Sequence, residues 1–389
     1  MTQQRRLLRL YISICLGTLA VGASIYYVFF RNKAYTDDSY VQGNQVWLTP
    51  LVPGFVETIF TDDTYLVTKG QVLVQLDTTD ATIALEQAKE DLAFAVRKVC
   101  GQFHEVFALQ ASIEVQKAEL VKTAQDFEHR NEVVSAGGVS VEDYEHSEAA
   151  LRSAFFLLQK TEILMAQALS LVQGTSIISH PEVVRKADIA RQAFVNLHRC
   201  KIYSPVEGLV AQRNIQVGMW VKQGDPLLAV IPLDQIWVNA NFKETQMKKM
   251  RIGQRVTLYS DLYGKEVPFH GTIAGLPGGA GNAFSILPPQ NLSGNWIKIV
   301  QRLPVRIDLD MEELVDHPLR IGLSMEAWAD LSTDGLLVPT STEGSPTYNT
   351  NIFADEETGD ITWIDEIIKA NADPSLTAFL QHPLLWDKK

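Results

Sequence analysis

Residue types that could do chemistry are present in this chain, but their spacing does not assemble them. The eight histidines show no HExxH and no close His-Cys grouping, which is the arrangement a protein zinc site needs. Gly278-Gly279-Ala280-Gly281 lacks the Lys-Ser/Thr that completes a phosphate loop, and Gly322-Leu323-Ser324 lacks the closing glycine of a nucleophile elbow. Asp37-Asp38 and Asp62-Asp63 place carboxylates side by side, yet neighbours on a strand point to opposite faces and do not form an acid pair. Cys15, Cys100 and Cys200 give neither a CxxC nor an even-numbered disulfide framework. The expectation is a protein that is not an enzyme, with no catalytic residues, no metal site and no cofactor.

With no reaction to position, the elements themselves have to carry the function. The 389 residues leave room for two or three compact units. A net charge of -12 without clustered Lys and Arg excludes a general nucleic-acid binder, because phosphate neutralisation needs such clusters. Leu10 to Phe30 is a run of 21 uncharged residues, about 31 Å as a helix and enough to cross a bilayer core. Arg5, Arg6 and Arg9 precede it, Arg31 and Lys33 follow, and Asp37, Asp38, Asp62 and Asp63 make the far side acidic, so the N-terminus is read as cytoplasmic. Val21-Gly22-Ala23 offers the competing reading of a cleaved signal peptide, against which the apolar run continues through Phe30. No second apolar stretch of spanning length is expected, which places the remaining residues on one side of a membrane and excludes a polytopic carrier.

An internal repeat follows. Val52-Pro53-Gly54-Phe55-Val56 corresponds to Val206-Glu207-Gly208-Leu209-Val210, and with those glycines as origin Val67 matches Val221, Gly70 matches Gly224, Leu73 matches Leu227 and Leu76 matches Val230 without a gap. Both copies alternate apolar and polar residues in short runs punctuated by Gly and Pro, a pattern of strands and turns that lets two half-motifs pair into one small β-sandwich. This resembles a biotinyl/lipoyl domain, with its halves parted by the insertion from about Thr78 to Cys200. No lysine is presented on a hairpin joining the halves, so Lys69 reads as a turn residue rather than an attachment site.

The insertion is helical by periodicity. Leu85, Leu92, Val99, Val106, Ile113, Leu120, Phe127 and Val134 recur every seven residues, and after Ser135-Ala136-Gly137-Gly138 a capping box at Ser140 and Asp143 opens a second series of Tyr144, Leu151, Leu158, Met165 and Val172. Small residues at Ala88, Ala95, Ser147, Ala154 and Ala168 suit a close antiparallel pair. Arms of about 58 and 61 residues return both ends to the split sandwich and reach roughly 85 to 90 Å. Gly101 and the Gly174–Pro181 interruption fall at one height, which predicts a bend in both arms, with Ser179 and Glu182 capping the restart. Cys100 stands about 33 Å up the rod from Cys200, too far for a disulfide within one chain. His104, His129 and His146 lie along this solvated rod.

Short alternating runs from Ile236 to Leu331 predict a second β-unit, a small barrel completed by a strand from Ala34 to Asn44. The order of anchor, half lipoyl motif, helical hairpin, half lipoyl motif and barrel resembles the HlyD family of membrane fusion proteins, or periplasmic adaptors. Thr36-Asp37-Asp38-Ser39-Tyr40-Val41, Asn241-Phe242-Lys243-Glu244-Thr245-Gln246, the run from Phe284 through Pro288-Pro289 to Ile307, and Pro318 to Ser324 are similar to its EmrA branch. The resemblance covers about residues 34–331. It implies a single-pass inner-membrane adaptor of a tripartite multidrug efflux pump with its bulk in the periplasm. Its partners would be a major facilitator transporter (EmrB-like) and a TolC-like outer-membrane channel, with drugs or amphiphiles as cargo and several copies, three or six, in the assembly. The alternatives are a HlyD-type adaptor of an ABC-driven protein secretion system and a coiled-coil scaffold without a transport partner.

The fold class is therefore α+β multidomain, with an N-terminal transmembrane helix, a split lipoyl-like β-sandwich, a long antiparallel coiled-coil hairpin and a membrane-proximal barrel. The divisions are 1–33 for the cytoplasmic start and anchor, 34–45 with 233–331 for the barrel, 46–77 with 201–232 for the lipoyl-like unit, 78–200 for the hairpin, and 332–389 for an acidic tail. The tail reads as polar and turn-rich, with a short helix near Trp363 to Ala370, no pattern after Gln381, and solvated acidic charges. Channel docking falls to the hairpin tip, Arg130, Val134, Gly137, Gly138 and Ser140. Many channel-docking adaptors carry Arg-x3-Leu-x6-Ser there, whereas this chain has Val134 and a serine one place early. A barrel loop with Gly278, Gly279, Phe284, Pro288 and Pro289 would face the transporter or a neighbouring copy.

Overall fold

The computed structural model describes residues 11–22, 32–279, 300–338, 347–354 and 362–384. Helix α1, described over Tyr11–Gly22, lies within the long apolar run. The chain then forms β1 (Lys33–Gly43), β2 (Val46–Leu48), β3 (Gly54–Ile59), β4 (Leu66–Val67) and β5 (Val72–Leu76) before it leaves as helix α2 (Thr79–Val134). It comes back through α3 (Val141–Val172) and α4 (Pro181–His198) to β6 (Lys201–Tyr203), β7 (Gly208–Ala211), β8 (Trp220–Val221) and β9 (Leu228–Ile231).

The repeat becomes a symmetric sandwich. One sheet has the order β2-β9-β7-β4 and the other β6-β5-β3-β8, so exchanging each strand for its repeat mate converts one sheet into the other. Gly54 pairs with Val221 and Gly208 with Val67. The backbone N–H of Thr64 donates to the Val210 carbonyl at 2.9 Å, and that of its mate Gly218 donates to Val56 at 2.8 Å. Neither half closes a sheet alone, since every sheet draws strands from both sides of the hairpin. Leu73, Leu76, Val210, Val221, Leu227 and Val230 fill the shared core. The symmetry fails at one point that stability measurements can read. A methyl group on Gly208 would lie 2.4 Å from the Ile231 carbonyl oxygen, whereas one on Gly54 meets only Leu76 at 3.4 Å. Gly208→Ala is therefore expected to cost about 1–3 kcal/mol as an overpacking strain, and Gly54→Ala well under that. Denaturant melts showing equal costs for the two would contradict this packing.

The outgoing helix α2 is continuous for 56 residues and passes straight through Gly101. The bend expected in both arms is thus confined to the return arm. One glycine weakens a helix by only about 1 kcal/mol, and here Val96, Val99, Cys100 and Phe103 bury the same turns. The return arm does break. Gly174 adopts φ +76 just past the end of α3, the left-handed position where glycine ends helices. Its restart is capped by His180 rather than by Ser179: the imidazole Nδ1 accepts the Glu182 N–H at 3.3 Å, while Ser179 closes a turn with Ser176. Pro181 is the reason, because it drives the residue before it out of helical backbone, leaving His180 extended at ψ 131. By length and composition alone α3 is also apolar enough to cross a membrane, contrary to the expectation of a single such stretch. Met165, Ala168, Leu169 and Val172 instead pack in the hairpin core against α2.

The tail departs furthest from expectation. Helix α5 (Met311–Asp316) belongs to the barrel, and α6 (Thr362–Asn371) with the 3-10 turn Pro374–Phe379 lies along the lower hairpin. Ile364, Ile368, Leu376 and Leu384 are buried in one cluster with Leu92, Val96, Phe103, Val106, Val172 and Ile177. Segment 374–384 also takes the backbone groups that the break strands. The N–H groups of Gly174, Ile177 and Ile178 donate to the carbonyls of Leu384, Phe379 and Leu380 at 2.9, 3.0 and 3.3 Å, and Leu384 donates to Thr175 at 3.1 Å. Buried backbone groups need such partners, so the break and the tail stabilise each other. The acidic tail is therefore not simply solvated.

Asp373 ties the tail to α2. Its carboxylate accepts from the backbone N–H and hydroxyl of Ser375 and faces His104 Nε2 at 3.1 Å. These hydrogen bonds, Ser375 first and His104 after, hold its pKa at about 2. A depressed carboxylate stabilises the fold above its unfolded value near ~3.9, and the contribution disappears as pH falls through about 2. Pepsin digestion is expected to nick the tail before the barrel as pH falls across that window. Asp373→Asn should expose the tail already at the upper end, and identical nicking of the two proteins would contradict the role of this carboxylate.

Strands β10 (Ile236–Lys243), β11 (Arg255–Ser260), β12 (Pro268–Gly275), β13 (Arg302–Leu309) and β14 (Ser324–Asp330) close with β1 into a barrel of order β1-β10-β13-β12-β11-β14. Val41, Val238, Phe242, Leu258, Phe269 and Ile307 point inward. The register fixes its two rims. Gly43 opposite Ile236 lies where the chain crosses to and from the sandwich, while Lys33 opposite Asp330 and Lys243 opposite Arg302 lie at the far end. The chain from α1 enters at that far rim.

Candidate functional site

Two places collect the residues singled out in the sequence: the hairpin tip and the far rim of the barrel. At the tip, α2 ends at Val134 and the chain reverses through Gly137 at φ +75 and Gly138, whose N–H donates to the Val133 carbonyl at 3.0 Å. A side chain at Gly138 would press Val133 Cβ at 3.3 Å. Ser140 caps α3 by accepting the Asp143 N–H at 3.0 Å and donates its hydroxyl to the Asp143 carboxylate at 2.7 Å. Arg130 donates across the turn to the Asp143 carbonyl at 3.3 Å. Arg130 and Ser140 therefore converge on one residue and hold the reversal closed. Val134 is half-buried beneath them, and Phe127 packs on Tyr144 with ring centroids 5.4 Å apart.

The side chains that the tip turns outward are others. Val141 is 66% and Val133 40% exposed, so a small apolar surface crowns the rod. Neither stands out in the sequence, because Val133 lies beside the seam position Val134 and Val141 is the first residue of a helix whose apolar series begins only at Tyr144. Such a crown has no titratable group and no nucleophile. What it offers is a shape held by two caps and a glycine turn.

At the barrel, Gly278 and Gly279 follow β12 at the far rim; Phe284, Pro288 and Pro289 lie outside the described residues. The paired carboxylates are structural. Asp38 pairs with Arg302 at 2.9 Å and accepts from Asn241 Nδ2 at 3.1 Å at a bulge in β1. Asp62 pairs with Arg213 at 2.8 Å, and that hydrogen bond lowers its pKa. Cys100 and Cys200 are free and buried, and burial raises both thiols, which disfavours the thiolate that redox or nucleophilic chemistry uses. Lys69 sits exposed in the turn between β4 and β5, beside Gly70.

Comparison with known proteins agrees with this architecture. A family model described as EMRA, alpha-helical hairpin domain, matches residues 79–200. The probable multidrug resistance protein EmrK of Escherichia coli is 42% identical over 332 residues, covering 84% of this chain and 86% of its own. The multidrug export protein EmrA of Haemophilus influenzae is 38% identical over 373 residues and 95% of each chain. The fatty acid resistance protein FarA of Neisseria gonorrhoeae is 41% identical over 301 residues, 77% of this chain and 76% of its own.

Proposed function

The chain belongs to the EmrA branch of the HlyD-type membrane fusion proteins, and on that premise we propose that it is the periplasmic adaptor of a tripartite efflux pump. Residues 10–30 anchor it in the inner membrane, and the barrel, sandwich and hairpin stand in the periplasm. It links a major facilitator transporter (EmrB-like) to a TolC-like outer-membrane channel, as one of three or six copies around the export path. Gly278 and Gly279 begin the loop that meets the transporter or a neighbour, and the tip around Arg130, Val134, Gly137, Gly138 and Ser140 meets the channel. The work is positional, with no catalytic residue and no cofactor.

One observation carries this reading. A helix of 56 residues leaves the sandwich from β5, and its partner helices come back into β6, the strand paired with β5 in the same sheet; at 1.5 Å per residue the reach is about 84 Å. A protein that only dimerises or carries a prosthetic group has no use for such a rod with both ends in one unit.

The names of the relatives choose the cargo to test, drugs and fatty acids. A strain lacking the chain should become sensitive to one or both, and the full chain should restore resistance. Affinity purification from solubilised membranes should recover a major facilitator protein together with an outer-membrane channel. Recovery of an ABC protein in place of the facilitator, or unchanged resistance, would overturn the proposal.

A further inference from the structure

Against a net charge of -12 for the chain, one segment of the barrel's far rim is uniformly cationic, the turn that joins β10 to β11. At this end Arg302 is paired with Asp38 and Lys33 stands opposite Asp330, whereas residues 248–255 carry Lys248, Lys249, Arg251 and Arg255 with no acidic residue among them. Lys248 and Lys249 are exposed on the short 3-10 turn Met247–Lys249, which joins the end of β10 to β11. Beside that turn runs an apolar segment leading out of β14: Leu336, Leu337 and Val338 are 51%, 57% and 69% exposed. Three consecutive large apolar side chains facing water are unusual on a surface that nothing covers.

The two segments are fastened to each other. Ile252 N–H donates to the Leu336 carbonyl at 2.9 Å. Gln254, only 1% exposed, donates its amide to the carbonyls of Lys249 at 3.1 Å and Thr333 at 2.7 Å. Gly335 fits so closely that a methyl group there would lie 2.3 Å from the Ile252 carbonyl oxygen and 3.0 Å from Arg251 Cβ. A buried amide and a glycine that admits no side chain thus hold an apolar ridge against a cationic turn. The same rim receives the chain from α1, with Lys249 Nζ 3.4 Å from the Asn32 amide oxygen and Leu331 N–H donating to the Asn32 carbonyl at 2.8 Å.

We propose that this rim is a second membrane contact, in which Lys248, Lys249 and Arg251 bind anionic lipid headgroups while Leu336, Leu337 and Val338 dip into the boundary between headgroups and acyl chains. Cations around an apolar ridge are what an interfacial protein surface needs, and each basic residue adds attraction to an anionic leaflet. The anchor delivers the rim to the bilayer, so a modest affinity suffices to seat it. Seating at a second point fixes the tilt of the barrel, and through it the direction of the hairpin. The inference rests on the membrane anchor of the preceding proposal.

The test uses the full chain in nanodiscs, with a nitroxide attached through Leu337→Cys in a Cys15→Ser background; Cys100 and Cys200 are buried. In discs containing phosphatidylglycerol, oxygen accessibility at 337 should rise and accessibility to an aqueous nickel chelate should fall severalfold relative to phosphatidylcholine discs. The variant K248E/K249E/R251E should return the probe to its value in neutral discs. A label at Val315, 82% exposed at the opposite end of the barrel, should stay aqueous throughout. A probe at 337 that remains aqueous in anionic discs overturns the proposal, as does immersion indifferent to lipid charge and to the charge reversals. Immersion that appears only when a co-purified transporter is added overturns it too, by making the partner a protein. Recovery of the chain with the discs reports the anchor and depth at 337 reports the rim, so the two readings fail separately.

Discussion

A chain ended at Gly359 is expected to keep its barrel and sandwich while losing the order of the lower hairpin. The deletion removes Ile364, Ile368, Leu376 and Leu384, none more than 6% exposed, and uncovers Phe103 and Val106, both now fully buried. It also leaves the N–H groups of Gly174, Ile177 and Ile178 without their carbonyls. Buried polar groups left unpaired cost about 1–3 kcal/mol each, so the 172–180 segment has no stable arrangement without the tail. Amide exchange there should accelerate roughly a hundredfold or more, while core strands of the barrel keep their rates. Within the full chain, Ile368→Ala should cost about 2–4 kcal/mol and Phe103→Ala about 3–5. A synthetic peptide of residues 362–389 should restore the slow exchange when added to the shortened chain. Unchanged exchange at 172–180 would show the tail to be a passenger.

How far this was legible from the sequence depends on the range of the signal. The sandwich was readable because its repeat holds one offset from Gly54 and Gly208 to Leu76 and Val230, and paired strands inherit that offset down to single hydrogen bonds. The hairpin was readable because every seam position from Leu85 to Val134 is buried or half-buried in a period of seven. Ser140 announced its cap through its spacing to Asp143. His180 did not, since a histidine cap is set by the proline after it rather than by the usual serine pattern. The burial of the tail is not legible in the sequence, since Leu376, Phe379, Leu380 and Leu384 follow no period; they match the irregular backbone of a break elsewhere in the chain. The far rim was hidden for a similar reason, as Lys248 and Leu337 are brought together only by the closure of the barrel.

Removing one heptad from each arm, residues 114–120 and 151–157, should abolish export while leaving the fold intact. Phe127 on Tyr144 fixes the local register of the arms, and in that register the two deletions face each other. A whole seven-residue unit preserves the seam on both sides of the cut. The hairpin then shortens by about 10.5 Å with its tip, break and tail unchanged. Thermal stability should stay close to that of the full chain, and resistance to the exported compounds should fall to that of a strain without the protein. Removing three residues from each arm instead would misalign the seam and lower stability together with function, which separates the effect of length from that of packing.

On the proposed function this chain works by reach, with the barrel rim at one membrane and the valine crown of the hairpin against a partner in the other. A photo-crosslinking residue at Val141 in living cells addresses that most directly. An adduct with an outer-membrane channel is expected from position 141 and none with that channel from Gly279. Adducts from position 141 with inner-membrane proteins, or with the channel equally from both positions, would contradict it.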